Sequence, residues 1–313
     1  MTEDQTQDIV YAVAASPDFV RDRLCFAARR SGLFRSEDGG LSWEDAYRSL
    51  ELPEALLTLC VAVSPDFASD HSVFAGASGG ILRSVDGGRS WQAASLPAPP
   101  PVVSCISASP NFVRDGALFA GTMEDGVLRS TDRGGRWQRW NFGLLDLAVL
   151  CLAISPQFAA DDTLFAGTET GLFRSTNGGR AWREVSFPND LAPVLSLAAS
   201  PDYAHDGTLW AGTESNGLHV TTDRGNSWRR VAEDLITDTV NAVLLSPQFP
   251  AKADVLAMPP DRLLISRDGG GHWSTWPGRL PDGAELSSVV APQGLDAGAP
   301  LLVGLTDGQV VRV

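Results

Sequence analysis

The chain has 313 residues and 43% of them are hydrophobic, so it has enough apolar side chains to form a core and is not expected to be disordered. Asp and Glu outnumber Lys and Arg by 38 to 24, which gives a formal net charge of -14. Because this average field repels a nucleic-acid backbone and no basic stripe offsets it, we expect no binding to nucleic acid.

The N-terminal sequence MTEDQTQDIV is acidic and polar, whereas a secretory signal needs a basic start and an apolar run. No stretch approaches the roughly 20 apolar residues that span a bilayer. We therefore expect a cytoplasmic protein that does not insert into a membrane.

Seven apolar runs follow one another along the chain and have the composition of buried strands. In order they read IVYAVAAS, LLTLCVAVS, VVSCISAS, VLCLAIS, VLSLAAS, VNAVLLS and LSSVVAP. Within residues 148–185 the first run is followed by three further strand-like segments, TLFAGT, GLFRST and AWREV. Four short strands per repeat of roughly 46 residues predict the blade of a β-propeller.

The predicted fold class is all-β: a single seven-bladed β-propeller domain, 1–313, of four-stranded antiparallel blades. The predicted blades span roughly 9–47, 56–95, 102–141, 148–187, 194–232, 240–277 and 286–313. The last blade stops where its outer strand should begin, so it is either incomplete or closed by residues 2–8. A six-bladed ring with an extra set of strands is the alternative.

One motif, Ser/Thr-x-Asp-x-Gly-x-x-Trp, occurs six times between the third and fourth predicted strands. The copies span 36–43, 84–91, 130–137, 175–182, 221–228 and 266–273. Its acidic position can accept hydrogen bonds from turn amides, its glycine permits a positive φ, and its tryptophan can pack onto the neighbouring blade. These structural residues are Asp38, Trp43, Asp86, Trp91, Asp132, Trp137, Asn177, Trp182, Asp223, Trp228, Asp268 and Trp273.

This motif resembles the Asp-box, or bacterial neuraminidase repeat (BNR), and the resemblance covers essentially the whole chain. Asp-boxes occur in sialidases, sortilin-type receptors, fungal cellobiohydrolases and photosystem II assembly factors, so the resemblance implies a propeller and leaves the activity open. The Arg-Ile-Pro signature of sialidases is missing, and Tyr11, Tyr47 and Tyr203 do not fit the sialidase nucleophile. The resemblance therefore favours the non-catalytic type, similar to sortilin and the photosystem II assembly factors.

No catalytic, metal or cofactor site is expected. A second repeated element, SPDFVRD and its copies, has an Asp at 22, 70, 115, 161 and 206, but each copy offers too few oxygens for calcium, so a turn that caps its own backbone is favoured. The histidines are isolated from one another. Cys60, Cys105 and Cys151 share one position in successive repeats, which indicates a small buried packing residue rather than a disulfide or a thiolate metal site.

Functional residues are expected among the loops that vary between repeats. The loops between blades and between second and third strands share one face, and they carry two extra tryptophans, several carboxylates and two arginines that could bind an anion. The candidate partner-binding residues are Trp140, Phe142, Leu144, Trp276, Arg29, Arg30, Glu124, Asp125, Glu169 and Glu214. The same residues could instead form a solvated acidic rim.

Two functional hypotheses follow. The leading one is a non-enzymatic protein-interaction scaffold or a subunit of a larger complex, whose partner is a protein with a basic surface. The alternative is a carbohydrate-binding propeller or a divergent, sialidase-like glycoside hydrolase, for which a glycan is the partner.

Overall fold

We describe residues 8–188 and 193–313 of a computed structural model of the chain. These residues form seven antiparallel sheets, and the first strands of the sheets lie side by side in a closed ring. The fold is therefore the predicted seven-bladed propeller, and the six-bladed alternative is wrong. No helix in the described ranges is long and apolar enough to cross a membrane. The cytoplasmic location stays a prediction.

The strands are numbered in chain order. Blade 1 contains β1 (Val10–Ala15), β2 (Cys25–Arg29), β3 (Gly32–Ser36) and β4 (Glu44–Asp45). Blade 2 contains β5 (Thr58–Val63), β6 (Val73–Ala77), β7 (Gly80–Ser84) and β8 (Gln92–Ala93). Blade 3 contains β9 (Val103–Ala108), β10 (Leu118–Thr122), β11 (Val127–Ser130) and β12 (Gln138–Arg139). Blade 4 contains β13 (Val149–Ile154), β14 (Leu164–Thr168), β15 (Leu172–Ser175) and β16 (Arg183–Glu184).

The remaining blades follow the same order. Blade 5 contains β17 (Val194–Ala199), β18 (Leu209–Thr213), β19 (Leu218–Thr221) and β20 (Arg229–Val231). Blade 6 contains β21 (Ala242–Leu245), β22 (Val255–Met258), β23 (Leu264–Ser266) and β24 (Ser274–Thr275). Blade 7 contains β25 (Leu286–Val290), β26 (Leu302–Leu305) and β27 (Val310–Arg312).

Blade 7 closes the ring against blade 1. The Ser287 hydroxyl donates to the carbonyl oxygen of Val10 at 2.6 Å, so β25 and β1 are neighbours. The described part of blade 7 has three strands. The predicted closure by residues 2–8 lies, apart from Asp8, outside the described residues.

Five blades pack through a notch formed by a glycine in the second strand. The glycine lies opposite a Cys or Ser of the first strand, and an added methyl group would lie within 2.8 Å of a valine of the next blade. These glycines are Gly76, Gly121, Gly167, Gly212 and Gly304. In blade 1, Ala28 takes this position and faces the smaller Ala12. Cys60, Cys105 and Cys151 pack against these glycines as predicted; Cys60 is buried, and Cys105 and Cys151 are partly buried.

The six-copy motif forms a turn with the same hydrogen bonds each time. The side chain of its Asp, or of Asn177, accepts the amide four residues later at 2.8–3.0 Å. Its tryptophan then packs onto the preceding blade; Trp91, for example, donates from Nε1 to the carbonyl of Ala46 at 2.9 Å. The interface between blades 7 and 1 follows the same plan, because Trp43 packs in a hydrophobic cluster that includes Leu302 of blade 7.

An arginine in the third strand supplies another contact between blades. Arg35, Arg129 and Arg174 each donate to a main-chain carbonyl in the motif turn of the next blade, namely those of Gly87, Gly178 and Arg224, at 2.6–3.1 Å. In the sequence each of these three arginines stands directly before the serine that begins the motif.

The Ser-Pro turns are self-capping, as predicted. In five blades the serine hydroxyl donates to the aspartate six residues later at 2.5–2.8 Å, and the second carboxylate oxygen accepts the amide two residues beyond. Each turn contains a four-residue helix: Phe19–Asp22, Phe67–Asp70, Phe112–Asp115, Phe158–Asp161 and Tyr203–Asp206. A 3₁₀ helix, Arg48–Leu50, lies between blades 1 and 2.

We predict that Gly76→Ala lowers the free energy of unfolding by about 1–3 kcal/mol through overpacking. The added methyl would lie 2.7 Å from Cγ1 of Val103 and closer still to Sγ of Cys60. Gly80→Ala is the matched control in the same blade, since a methyl there meets no atom within 4 Å. Thermal unfolding compares the two variants, and equal melting temperatures would contradict the packing role of Gly76.

Cys60→Ala added to Gly76→Ala should recover part of the loss, because blade 1 has alanine at both equivalent positions, Ala12 and Ala28.

We also predict an acid-sensitive contribution from the motif aspartates. Hydrogen bonds from the hydroxyl and amide of Ser227 lower the pKa of Asp223 to about 2. The carboxylate therefore stabilises the fold above its unfolded pKa of about 3.9, and this contribution is lost as the pH falls through 2. Asp223→Asn should lower the melting temperature at pH 6, by a margin that shrinks between pH 4 and pH 2. A margin that does not change with pH would refute the prediction.

Asn177→Asp is the reciprocal variant, because Asn177 already accepts the turn amide of Ala181 at 2.9 Å. It should raise the melting temperature at pH 6 and lose this gain below pH 4. The gain should be smaller than the loss in Asp223→Asn, since Ala181 has no hydroxyl to donate.

Candidate functional site

The loops divide between two faces of the ring. The Ser-Pro turns and the motif turns lie on one, which we call the motif face. The loops between blades and the turns between second and third strands lie on the other, the variable face. Because the motif-face turns repeat the same internal hydrogen bonds, the variable face is the better place to look for specific recognition.

The connection between blades 3 and 4 contains a fixed turn, residues 141–145, which we call the rim turn. The amide of Leu144 donates to the carbonyl of Asn141 at 2.9 Å, and Gly143 has a φ of +78° that favours glycine. The Asn141 side chain accepts the amide of Val127 at 2.8 Å and donates to the carbonyl of Asp125 at 2.7 Å. The rim turn is therefore anchored to blade 3.

Blade 4 holds the other side of the rim turn. The amide of Trp182 donates to the carbonyl of Phe142 at 2.8 Å, and its indole Nε1 donates to the carbonyl of Trp140 at 2.8 Å. Leu144 is buried between the blades, whereas Phe142 and Leu145 are 81% and 79% exposed. The turn thus presents two large apolar side chains to solvent from a backbone held on both sides.

Trp140 lies half-buried beside the rim turn and is covered by arginines. The guanidinium carbon of Arg129 is 4.3 Å from the ring centroid, and that of Arg180 is 5.9 Å away. These contacts have the geometry of cation–π interactions. Trp140 therefore contributes to the packing beneath the site and is not an exposed anchor.

Carboxylates surround the rim turn. Asp125 forms a 3.0 Å salt bridge with Arg139, while Glu124 and Glu169 are exposed. Partial burial acts to raise the pKa of Asp146, but hydrogen bonds from Thr170 and Ala148 lower it overall. The four carboxylates Glu124, Asp125, Asp146 and Glu169 thus slightly outnumber the three arginines beside the turn, Arg129, Arg139 and Arg180.

Two of the predicted partner-binding residues are buried, so their side chains do not form part of the exposed surface of the variable face. Trp276 is 4% exposed and packs among Leu263, Leu286 and Leu295 between blades 6 and 7. Leu144 is buried next to the exposed Leu145. Both side chains contribute to blade packing.

The other predicted residues lie away from the rim turn. Arg29 stacks on Phe34 in blade 1, with the guanidinium carbon 4.4 Å from the ring centroid, and desolvation by burial lowers its pKa. Arg30 is exposed in the same blade, and Glu214 is exposed in blade 5. The structure therefore brings together only Trp140, Phe142, Leu144, Glu124, Asp125 and Glu169.

Sequence reasoning missed a second feature of the variable face, which we call the blade 2 groove. Its cavity of about 320 Å³ is lined by Leu56, Ile81, Leu82, Ala94, Leu96 and Pro100 around the turn 77–80. That turn reads ASGG, whereas the corresponding turns elsewhere carry larger side chains, as in TMEDG and TESNG. The run of small residues was the available signal.

The grouping and the ionisation of the remaining polar and thiol side chains bear on metal binding and thiol chemistry. In 8–188 and 193–313, no three His, Cys, Asp or Glu side chains are grouped so as to hold a metal ion. Burial raises the pKa of the Cys105 thiol to about 11 and that of Cys25 to about 12, so both thiols are protonated at neutral pH.

Several solved structures share this fold. A GH74 xyloglucanase from Xanthomonas campestris superposes with a TM-score of 0.75 at 19% identity, over 97% of this chain and 51% of the enzyme. YCF48 bound to D1 peptide superposes with a TM-score of 0.70 at 18% identity, over 98% of this chain and 94% of YCF48. The extracellular domain of a putative one-component system from B. thetaiotaomicron gives 0.70 at 14% identity, over 99% of this chain and 38% of that one.

This chain thus spans about half the length of the xyloglucanase and less than two fifths of the extracellular domain from B. thetaiotaomicron. No protein-family model and no curated protein matches the sequence. At these identities the comparisons establish the propeller fold, which is shared by proteins of different function.

We predict that Trp276→Ala and Phe142→Ala have different effects on stability. Truncating the buried Trp276 should cost about 3–5 kcal/mol of unfolding free energy, whereas truncating the exposed Phe142 should change it by less than about 0.5 kcal/mol. Chemical denaturation measures both variants under the same conditions. Similar effects of the two substitutions would show that the burial assigned to these side chains is incorrect.

Proposed function

We propose that this protein is a non-enzymatic interaction scaffold, or a subunit of a larger complex, that binds a partner protein through the rim turn. It belongs in this proposal to the Asp-box propellers of the non-catalytic type. The partner surface is apolar where it meets Phe142 and Leu145, and basic around that contact.

The proposal rests on the exposure of two large apolar side chains on a rigid turn. Phe142 and Leu145 are about four-fifths exposed although hydrogen bonds from two blades fix the backbone beneath them. Exposing them has no benefit for folding, and a preorganised turn loses little conformational entropy when it binds. Anchors of this kind typify the centres of protein interfaces.

The charges around the rim turn support a basic partner. Glu124 and Glu169 are exposed, and Asp146 is held in its ionised form. Complementary charges at the rim of an interface chiefly raise the association rate and the specificity. The fold comparison also supports a protein partner, since YCF48, which matches along nearly its whole length, has been solved with a bound peptide.

The alternative is a carbohydrate-binding or glycoside-hydrolase propeller. It is favoured by one observation, the similarity in fold to the GH74 xyloglucanase. A hydrolase of this kind would need two carboxylates roughly 5–10 Å apart across the sugar. Hydrolysis of fluorogenic xyloglucan, glucoside or sialoside substrates would establish this alternative and overturn the scaffold.

A photocrosslinking experiment tests the proposal. With p-benzoylphenylalanine at position 142, irradiation of a native lysate should capture one stoichiometric protein; with the same label at position 41, on the motif face, it should not. Phe142→Ser with Leu145→Ser should weaken binding of the identified partner about 30-fold or more, the loss of at least 2 kcal/mol expected for hot-spot residues.

Val20→Ser with Leu41→Ser is the matched control. These side chains are 71% and 74% exposed on the motif face, so the same loss of apolar surface there should leave partner affinity unchanged. Equal weakening by both double variants would show that general hydrophobicity drives the capture. Absence of any crosslinked protein at position 142 would indicate a solvated rim and reject the proposal.

A further inference from the structure

The blade 2 groove is apolar and open. Its described lining contains no charged and no aromatic side chain. Methyl groups built on Gly79 and Gly80 meet no atom within 4 Å, so the turn leaves the space above it free. The volume of about 320 Å³ lies at the lower end of the roughly 300–1,000 Å³ typical of ligand pockets. This size suits one or two side chains of a larger molecule.

A second cavity, which we call the acidic cleft, adjoins the groove at Leu56. It measures about 390 Å³ and lies along the loop between blades 1 and 2. Its lining includes the carboxylates of Asp45, Glu51 and Glu54 and one guanidinium, that of Arg48. None of these four groups forms a salt bridge within the described ranges.

The two cavities together define the chemistry of an occupant. An aliphatic lining gains most from burying an apolar side chain. The groove has no aromatic ring on which a sugar could stack, and Ser78 is the one residue of its described lining with a polar side chain. Three carboxylates against one guanidinium leave the neighbouring cleft with an excess of negative charge. A cation placed there would be attracted by the cleft and by the net charge of the chain.

We propose that the groove and the cleft together bind an extended peptide segment in which a large apolar side chain is followed within a few residues by Lys or Arg. The apolar side chain enters the blade 2 groove, and the cation meets Glu51 and Glu54 in the acidic cleft. This inference extends the proposed function by assigning a second contact to a protein partner. It does not involve the rim turn, so the two proposals can fail separately.

Synthetic peptides test the inference on the intact protein. The probes are fluorescein-labelled glycine-rich heptapeptides with one Leu followed, after one to four residues, by Lys, Gln or Glu. Fluorescence polarisation at low salt should show, for the best spacing, affinity falling about two- to fivefold from Lys to Gln and again from Gln to Glu. Replacing the Leu by Ser should weaken binding by about tenfold or more.

Variants assign the two halves of the site. Gly80→Leu should fill the groove and abolish binding without disturbing the fold, since its new side chain starts in open space. Glu51→Gln with Glu54→Gln should remove the preference for Lys and keep the preference for Leu. Glu124→Gln with Glu169→Gln, on the same face beside the rim turn, is the matched charge control and should bind as wild type. Phe142→Ser with Leu145→Ser should also bind as wild type.

Several results would overturn the inference. They are the absence of saturable binding by any probe, equal affinity for the Lys and Glu series, and binding that survives Gly80→Leu. A labelled xyloglucan oligosaccharide that binds wild type and is lost in Gly80→Leu would assign the groove to a sugar instead.

Discussion

The structure depends on how closely neighbouring blades approach each other near the ring centre. At Gly76 and its equivalents, the absence of a side chain lets a valine of the next blade enter beside the first strand. Dispersion contacts weaken steeply with distance, so a gap of about half an ångström at each of these five glycines would forfeit roughly a quarter of the attraction there. The motif tryptophans and the Arg35 type of contact stabilise the same interfaces farther from the axis.

The repetition of these contacts explains why the fold could be predicted from sequence. A strand pattern, a glycine, a serine–aspartate pair and a tryptophan recur at nearly constant spacing, and each has one local role that does not depend on distant residues. In blade 1 the two positions change together, to Ala12 and Ala28, whereas in blade 6 the buried Met258 takes the glycine position opposite Ala242. The contact made by Arg35 and its equivalents could not be predicted, because each arginine donates to a backbone carbonyl and no side chain in the sequence marks that partner.

The candidate site was predictable only in part, because irregular loops have no period. Leu144 and Leu145 are adjacent and chemically identical, yet a turn that depends on Gly143 and on Trp182 of another blade buries one and exposes the other. Trp276 lies three residues after the motif. From the sequence alone it could not be distinguished from a surface tryptophan, because its burial depends on contacts with blade 7. The blade 2 groove exists because the turn 77–80 has only small side chains or none, and a run of small residues is a weaker sequence signal than a repeated motif.

The interface between blades 7 and 1 differs from the other six in the sequence separation of the residues that it joins. Six interfaces join blades that follow each other along the chain and can form as each blade is added. The seventh joins groups such as Ser287 and Val10, which are 277 residues apart, and so bears nearly the whole entropy of closing the loop. We therefore expect neighbouring blades to stack locally as the chain folds, and the interface between blades 7 and 1 to form late.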